Sequence, residues 1–323
     1  MKTLSNKEID KAYNRIKHLI SKTPLITNEE INSTFNAKIY FKLENLQKTG
    51  SFKLRGASNK ISQLSNKQKS YGIVAFSSGN HAQAVAYTSK FFGVDSKIVM
   101  PKNAPKLKIE NTKNYGAQLV LCDSQEETRA KIAEEIAKKE NRIIIKPYDD
   151  LEIITGQGTV GKEIVDQLNK YKVVPDIYLC CCGGGGLIAG SSFYLKNSFP
   201  NIKNFAVEPE DFNDTQLSLK SKKIETIKPG KTICDALLAV QPGNVTFPIN
   251  SNTLTSGLTV SDNEVKKTII KLAEEMKVVA EPGGAVAATA LFENKLDFKN
   301  KNVIVMISGG NIDNSFFSSL VDK

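Results

Sequence analysis

Histidine, arginine and regularly spaced cysteines are scarce in this chain of 323 residues, and their scarcity excludes several kinds of chemistry. Only two histidines occur, so a histidine-rich metal cluster cannot form, and a Ser-His-Asp triad would have to use one of them. The five cysteines are an odd number, and three of them are consecutive, at positions 180–182. Adjacent thiols fit neither a disulfide framework nor the C-x-x-C spacing of a zinc site. We therefore expect reduced, mostly buried thiols in a cytosolic protein.

Arginine supplies only four of the 44 cationic side chains, although lysine and arginine together exceed the acidic residues by ten. Bidentate recognition of phosphates and bases favours arginine, and the lysines here are scattered rather than clustered with aromatic residues. The charge pattern therefore favours a solvated, lysine-rich surface over nucleic-acid binding.

The chain also lacks the patterns of export and membrane insertion. Its first twenty residues carry acids and contain no apolar signal-peptide core. The uncharged stretch 177–195 contains four consecutive glycines, which would be costly in a helix that crosses hydrocarbon. We expect a strand, a glycine loop and a helix start there, in a soluble cytoplasmic protein that does not span a membrane.

Short apolar runs alternate with helical patterns along the whole chain. This alternation predicts an α/β fold with mostly parallel sheet and helices on both faces. The predicted strands are 39–43, 72–76, 97–100, 118–121, 142–145, 176–181, 204–208 and 302–307, and the clearest predicted helices are 80–92, 126–139, 155–168 and 262–276.

Lys53 is the first candidate for chemistry, because it follows a Thr-Gly-Ser turn at the start of a predicted helix. Nearby N–H groups and Arg55 would disfavour the charged form of its amine, and an uncharged amine is a nucleophile or a base. Taken alone, the position is more typical of an ordinary surface lysine.

Two segments have the composition of anion-binding turns. Residues 77–81, Ser-Ser-Gly-Asn-His, lie between a strand and a helix, where hydroxyl and N–H groups bind anions but also form ordinary helix caps. Residues 183–186 are four glycines, whose backbone amides can surround a phosphate. This run also fits the dinucleotide fingerprint, since Glu208 ends the next predicted strand about 20 residues further on.

Two further polar segments follow predicted strands. Ser308 begins the sequence Ser-Gly-Gly-Asn at a sheet edge, where ligands of open α/β sheets bind. Glu208 and Asp214, with a carbonyl between them, offer the oxygen ligands that a hard cation prefers, although an acidic helix start has the same composition. A lysine, a phosphate loop, an anion loop and a serine at the sheet edge are together what pyridoxal phosphate (PLP) requires.

The chain resembles the fold-type-II PLP enzymes, specifically the serine/threonine dehydratase and serine racemase branch, from about Ile9 to Asn311. The segment around Lys53 fits the family's attachment signature, and the sequences SSGNH, GGGGL and SGGN follow in the family's order and spacing. A nicotinamide-dependent dehydrogenase, the out-of-class alternative, would explain neither Lys53 nor SSGNH.

The resemblance implies a role for each matching residue. Lys53 looks like the catalytic lysine that binds the cofactor covalently, and Ser78 like the catalytic acid or base on the opposite face of the substrate. The other residues that the likeness assigns to the cofactor are Phe52, Asn80, Gly183, Gly184, Gly185, Gly186, Leu187, Glu281 and Ser308. Those that it assigns to the substrate are Ser77, Ser78, Asn80, His81 and Arg129. Those that it assigns to a divalent cation (Mg²⁺, Ca²⁺ or Mn²⁺) are Glu208, Asp214 and the carbonyl of Phe212.

The same resemblance implies the architecture and the reaction. We expect a homodimer in which residues 1–70 and 147–323 form a large PLP-binding domain and residues 71–146 a small mobile domain. The expected activity is an ammonia-lyase reaction that converts L-serine, L-threonine or 3-hydroxyaspartate to a keto acid and ammonia. Simple dehydratases often carry alanine at the position of Ser78, so racemisation is expected as a second outcome. A dedicated serine or aspartate racemase and a non-catalytic binding protein are the alternatives.

Overall fold

The computed structural model describes residues 3–123 and 126–321, in which two β-sheets are surrounded by helices. The strands are β1 (Leu25–Ile26), β2 (Lys38–Leu43), β3 (Ile73–Phe76), β4 (Ser96–Pro101), β5 (Gln118–Cys122), β6 (Ile143–Ile145), β7 (Ile177–Cys181), β8 (Lys203–Pro209), β9 (Ser256–Val260) and β10 (Asn302–Ile307). The α-helices are α1 (Asn6–Ile16), α2 (Glu29–Phe35), α3 (Lys53–Ser62), α4 (Asn66–Ser70), α5 (Asn80–Phe92), α6 (Lys106–Asn114), α7 (Glu126–Glu140), α8 (Leu151–Lys170), α9 (Gly186–Ser198), α10 (Asp214–Ser221), α11 (Thr246–Thr253), α12 (Asp262–Met276), α13 (Pro282–Phe292) and α14 (Asn314–Val321).

The larger sheet has six strands in the order β1-β2-β10-β7-β8-β9. Its pairs are parallel except the one at the edge, where β1 runs antiparallel to β2. Strands β7 and β10 lie at the centre and are almost wholly buried, because helices cover both faces of the sheet. That burial explains why both strands have continuous apolar sequences rather than alternating ones.

The smaller sheet has four parallel strands in the order β5-β4-β3-β6, all of which come from residues 73–145. It has its own apolar packing on each face, with Ile73 and Ala75 on one side and Val74 and Val99 on the other. The α/β fold with mostly parallel sheets is thus confirmed. The domain boundaries at residues 70–71 and 146–147 stay a prediction.

The eight predicted strands are present, each with ends within one residue of its prediction. Two strands were missed. Strand β1 has only two residues, and β9 begins with the sequence Ser-Gly, which does not resemble an apolar strand. Helix α8 begins four residues before its predicted start, because the Asp150 side chain accepts hydrogen bonds from the N–H groups of Glu152 and Ile153 and so caps the helix earlier.

A buried ionic cluster anchors the start of helix α3 to the larger sheet. The Arg55 guanidinium lies 2.7 Å from Glu44 and 2.9 Å from Glu163, and Lys42 donates to Glu163 at 2.8 Å. All four side chains are fully buried, so each charge depends on its partners for compensation. The cluster joins β2, α3 and α8, and therefore fixes the backbone that carries Lys53.

The cysteines are free and mostly buried, as their spacing in the sequence predicts. The five cysteines all lie in the described residues, form no disulfide, and are buried apart from the half-buried Cys122. Between residues 3 and 321, leaving out 124 and 125, no helix combines the length and the apolar character that a membrane crossing requires.

Candidate active site

One cleft brings together the residues that the sequence assigned to cofactor and substrate. It lies between the two sheets, at the carboxyl ends of strands β3, β7 and β10. The predicted residues that line it are Phe52, Lys53, Ser77, Ser78, Asn80, His81, Arg129, Gly183, Gly184, Gly185, Gly186, Leu187, Glu281 and Ser308.

Lys53 is placed in the cleft by backbone pairing with the end of β10. Ser51 forms a β-bridge with Gly309, and the Phe52 N–H donates to the Ser308 carbonyl at 3.1 Å. The half-buried Lys53 amine donates to the carbonyl of Pro147 at 2.8 Å, which holds it inside the cleft. Arg55, which was expected to act on this amine, is instead neutralised by two carboxylates in the core, so its contribution is to fix the helix.

The glycine run forms the turn that starts helix α9. Gly185 has a φ of +87°, a conformation that other residues rarely adopt. A Cβ on Gly184 would lie 2.3 Å from the Tyr148 ring, so the glycine also permits this close packing. In the part of the chain that the structure describes, no side chain caps α9. An uncapped helical turn at the cleft fits a phosphate, which accepts hydrogen bonds from its N–H groups.

The loop that contains Ser77 and Ser78 is held by one internal hydrogen bond and by one to the segment around Asp235. Ser77 accepts the Gly79 N–H at 2.9 Å, and Ser78 donates to the carbonyl of Asp235 at 3.0 Å. The N-cap of helix α5 is Gly79, without a side-chain hydrogen bond, so Ser78 does not act as the cap of this helix. The interpretation of the segment as an ordinary serine-capped helix is therefore wrong.

Asn80 links this loop to two other polar side chains. Its amide donates to Glu281, and its carbonyl oxygen accepts the Asn311 amide at 2.8 Å. Asn311 also donates to the carbonyl of Thr49 at 2.9 Å. The SSGNH and SGGN sequences, 231 residues apart, are thus parts of one hydrogen-bonded network.

His81 is a neutral group in this cleft. Its Nε2 lies 3.0 Å from the carbonyl of Ile145, which can only accept, so Nε2 carries the hydrogen. Burial, with a smaller contribution from the charge of Lys53, lowers the pKa of His81 to about 3. A neutral imidazole offers a carboxylate no ion pair. Arg129, on helix α7, is buried and supplies the positive charge on this side of the cleft.

Ser308 follows the last residue of β10 and is almost fully buried. Cys181, at the end of the adjacent strand β7, lines the cleft together with Ser308. Hydrogen bonding from Cys180, and to a smaller extent from Ser308, lowers the pKa of the Cys181 thiol although burial opposes it. Sequence reasoning identified Ser308 but not Cys181, which appeared there as one thiol of an apolar strand.

Sequence reasoning assigned no role to several other residues at the cleft. Tyr148 and Asp235 line the cleft, and Lys108 contacts Asp235 and Glu281 directly beside it. The lysine looked like one of the many lysines of a helical surface, and only the pairing of distant segments gives it these partners. No local pattern marks it.

Glu208, Phe212 and Asp214 lie outside this cleft, at the end of β8 and the start of α10. All three are buried. Glu208 accepts the N–H groups of Thr215 and Gln216 at 2.9 and 2.8 Å, and burial raises its pKa to about 8. Two buried carboxylates fit a hard cation. Among the described residues, however, no group of three or more acidic, histidine or cysteine side chains has a metal-binding arrangement, so water would have to complete the ligands.

Comparison with known proteins agrees with the composition of the cleft. Residues 16–309 match the family described as pyridoxal-phosphate dependent enzyme. The chain is 41% identical to serine racemase of Schizosaccharomyces pombe, over 95% of this chain and 94% of that protein. It is 40% identical to L-threo-3-hydroxyaspartate ammonia-lyase of Saccharomyces cerevisiae, over 96% and 94%. The structure of maize serine racemase superposes with a TM-score of 0.91, at 33% identity over 98% of this chain and 96% of that one.

Proposed function

Because the chain belongs to the family of pyridoxal-phosphate-dependent enzymes, we propose that it is an ammonia-lyase that acts on a β-hydroxy amino acid. The products are a keto acid and ammonia, and racemisation of the same substrate is a second outcome. The observation that carries this proposal is the convergence in one cleft of Lys53, the glycine turn and Ser308, from three distant parts of the chain.

The residues of the cleft fit PLP, with its anionic phosphate and planar ring. The uncapped turn of residues 183–186 would hold the phosphate, and Ser308 would bind the pyridine nitrogen through its hydroxyl. Phe52 and Asn80 would contact the ring, with Glu281 beside it. When bound, the cofactor supplies an electron sink that makes the α-proton of an attached amino acid acidic.

Lys53 and Ser78 would move protons on opposite faces of the substrate. The Lys53 amine, once freed from the cofactor by the substrate, would take the α-proton. The β-hydroxyl would then take up a proton and leave as water, and hydrolysis of the resulting enamine would yield the keto acid and ammonia. Return of a proton from Ser78 instead gives the other enantiomer.

The substrate carboxylate would be bound by the loop of residues 77–80 at the start of helix α5, where hydroxyl and N–H groups meet. Arg129 would donate hydrogen bonds to a second carboxylate, which favours 3-hydroxyaspartate as a substrate besides serine and threonine. The neutral His81 would add at most a hydrogen bond to that carboxylate.

A dedicated amino-acid racemase is the second candidate, and one observation favours it. The Ser78 hydroxyl is not used to cap helix α5, and it lines the cleft with a hydrogen bond to a backbone carbonyl that can be exchanged for substrate. The relative amounts of keto acid and of inverted amino acid distinguish the two candidates.

Three further features belong to the same proposal. A divalent cation would bind at Glu208, the Phe212 carbonyl and Asp214, away from the reacting atoms. The active species would be a cytoplasmic homodimer, and residues 71–146 would move as a small domain against the rest of the chain.

The test is an assay of the purified protein, loaded with PLP, on L-serine, L-threonine and L-threo-3-hydroxyaspartate. We expect keto acid and ammonia in equal amounts from at least one of them, with the D-enantiomer as a minor product. The Lys53→Ala protein is the control and should form neither. Absence of both products from all three substrates would contradict the proposal.

A further inference from the structure

Lys108 is a buried cation for which the reaction described above provides no role. Its amine lies 2.7 Å from a carboxylate oxygen of Asp235 and 2.7 Å from one of Glu281, and the lysine side chain is only 1% exposed. Helix α6 carries Lys108 on the side of the smaller sheet, whereas both carboxylates belong to segments of the larger sheet. The ion pairs therefore cross the cleft.

The environment keeps this lysine charged. Burial lowers the pKa of a lysine, but the charges of Glu281 and Asp235 more than compensate and raise the pKa of Lys108 above its ordinary value. A buried charge of this kind is stable only while its partners remain in place. Lys108 thus depends on the two carboxylates, and they depend on it.

The partners of Lys108 are also the groups that hold the substrate loop. Glu281 accepts the amide of Asn80, and the backbone carbonyl of Asp235 accepts the hydroxyl of Ser78 at 3.0 Å. The lysine stem lies directly behind the same loop, because a Cβ on Gly79 would be 2.1 Å from the Lys108 Cδ. The loop is enclosed by the stem of the lysine and by its two ionic partners.

We propose that Lys108 is a positioning residue, which holds Asp235 and Glu281 against the loop of residues 78–80 and thereby sets the geometry and charge of the substrate side of the cleft. The inference rests on the function proposed above. It adds that the charge of Glu281 is controlled from the opposite side of the cleft, by a residue that does not itself line the cleft.

The charges around Glu281 determine the direction in which each substitution should change its pKa. The titratable groups that face it are Lys108, Asp235, Cys181 and Cys234, and Asn80 is its neutral hydrogen-bond partner. Burial raises the pKa of Glu281 most, Lys108 lowers it, and Asp235 raises it. Removing the lysine must therefore raise this pKa further, whereas removing the Asp235 charge must lower it.

The experiment compares Lys108→Met, Lys108→Arg and Asp235→Asn, each in the holoenzyme. The pH dependence of the cofactor's visible absorbance and of kcat/KM are measured in parallel. Lys42→Met is the control, since Lys42 is equally buried and pairs with Glu163 away from the cleft. Affinity of each apoprotein for PLP provides a readout that does not require turnover.

In Lys108→Met we expect the acidic limb of both pH profiles to shift to higher pH by about one to three units. We also expect kcat/KM to fall about 100-fold, as for a misplaced reactive group. Lys108→Arg should keep the acidic limb at the pH found in the unmodified protein, and Asp235→Asn should shift it to lower pH. Lys42→Met should lower thermal stability without shifting the pH of the acidic limb in either profile.

Unchanged limbs in both Lys108→Met and Asp235→Asn, or shifts of the same sign, would overturn the inference. If Lys108→Met does not fold, the direction of the Asp235→Asn shift and the profile of Lys108→Arg decide it. Failure of the proposed function is distinguishable, because it would appear in the unmodified protein as lack of keto acid and ammonia.

Discussion

Replacing Ser78 with alanine should separate the two reactions that this cleft can support. The Ser78 hydroxyl lies at the loop that carries Asn80 and donates its hydrogen to the Asp235 carbonyl at 3.0 Å. The change removes one neutral hydrogen bond and one proton carrier, and leaves Lys53 and the glycine turn intact. If Ser78 returns the proton on the face opposite Lys53, only racemisation requires it.

The size of each effect follows from the contacts. A positioned acid or base contributes about 10²–10⁴-fold to a proton transfer, so formation of D-product should fall by at least about 100-fold. The lost hydrogen bond to a backbone carbonyl contributes about 0.5–1.5 kcal/mol, so keto-acid formation should change by no more than about tenfold. The ratio of D-product to keto acid should therefore fall at least about tenfold.

The assay measures both products from one L-substrate in the same reaction mixture, by chiral chromatography and by coupled reduction of the keto acid. Ser77→Ala is the matched control, because the Ser77 hydroxyl likewise makes one hydrogen bond to the backbone, which it accepts from the Gly79 N–H. That variant should lower both products together. If Ser78→Ala lowers both products in parallel, as Ser77→Ala does, the assignment of Ser78 as the opposite-face acid is refuted.

Three other experiments test the cation site, the role of Arg129 and the buried ionic cluster. Chelation with EDTA in metal-free buffer should lower the melting temperature and the activity together if a cation binds at Glu208 and Asp214, and an unchanged melting temperature would count against the site. Arg129→Met should reduce kcat/KM for 3-hydroxyaspartate at least about tenfold more than for serine, whereas equal losses would show that Arg129 does not select the second carboxylate. Burial alone would raise the pKa of Glu163, but Arg55 and Lys42 hold it below its usual value. Its ion pairs therefore contribute stability above the unfolded pKa of about 4.3 that is lost as the pH falls through the folded value. Glu163→Gln should destabilise the protein by about 3–5 kcal/mol at pH 7, measured by urea unfolding, and an unchanged free energy of unfolding would contradict the role of the cluster.

The strands and the motif-bearing loops could be predicted because their signals are local. A buried parallel strand such as β10 is a continuous apolar run, and glycine or serine directly after it marks the edge where ligands bind. Strand β9 was missed because its pairing with β8, rather than its own polar sequence, stabilises it.

Residues whose role depends on distant partners could not be predicted in this way. Lys108 is 127 residues from Asp235, and in sequence it resembles any lysine of a polar helix. The protonation of His81 was likewise inaccessible, because it is set by burial and by the carbonyl of Ile145. The role of Arg55 was misjudged because neighbouring residues of a helix start need not face the same side.

Chemical trapping identifies the lysine that binds the cofactor, which we propose is Lys53. The holoprotein is reduced with borohydride, digested, and the pyridoxyl-modified peptide is identified by mass spectrometry, with Lys53→Ala as the control. We expect the visible absorbance to be lost on reduction and the label to be found on Lys53. In the control the site should remain unlabelled and turnover should fall by several orders of magnitude, while the protein stays folded. A label on another lysine, or an unlabelled protein, would contradict the account.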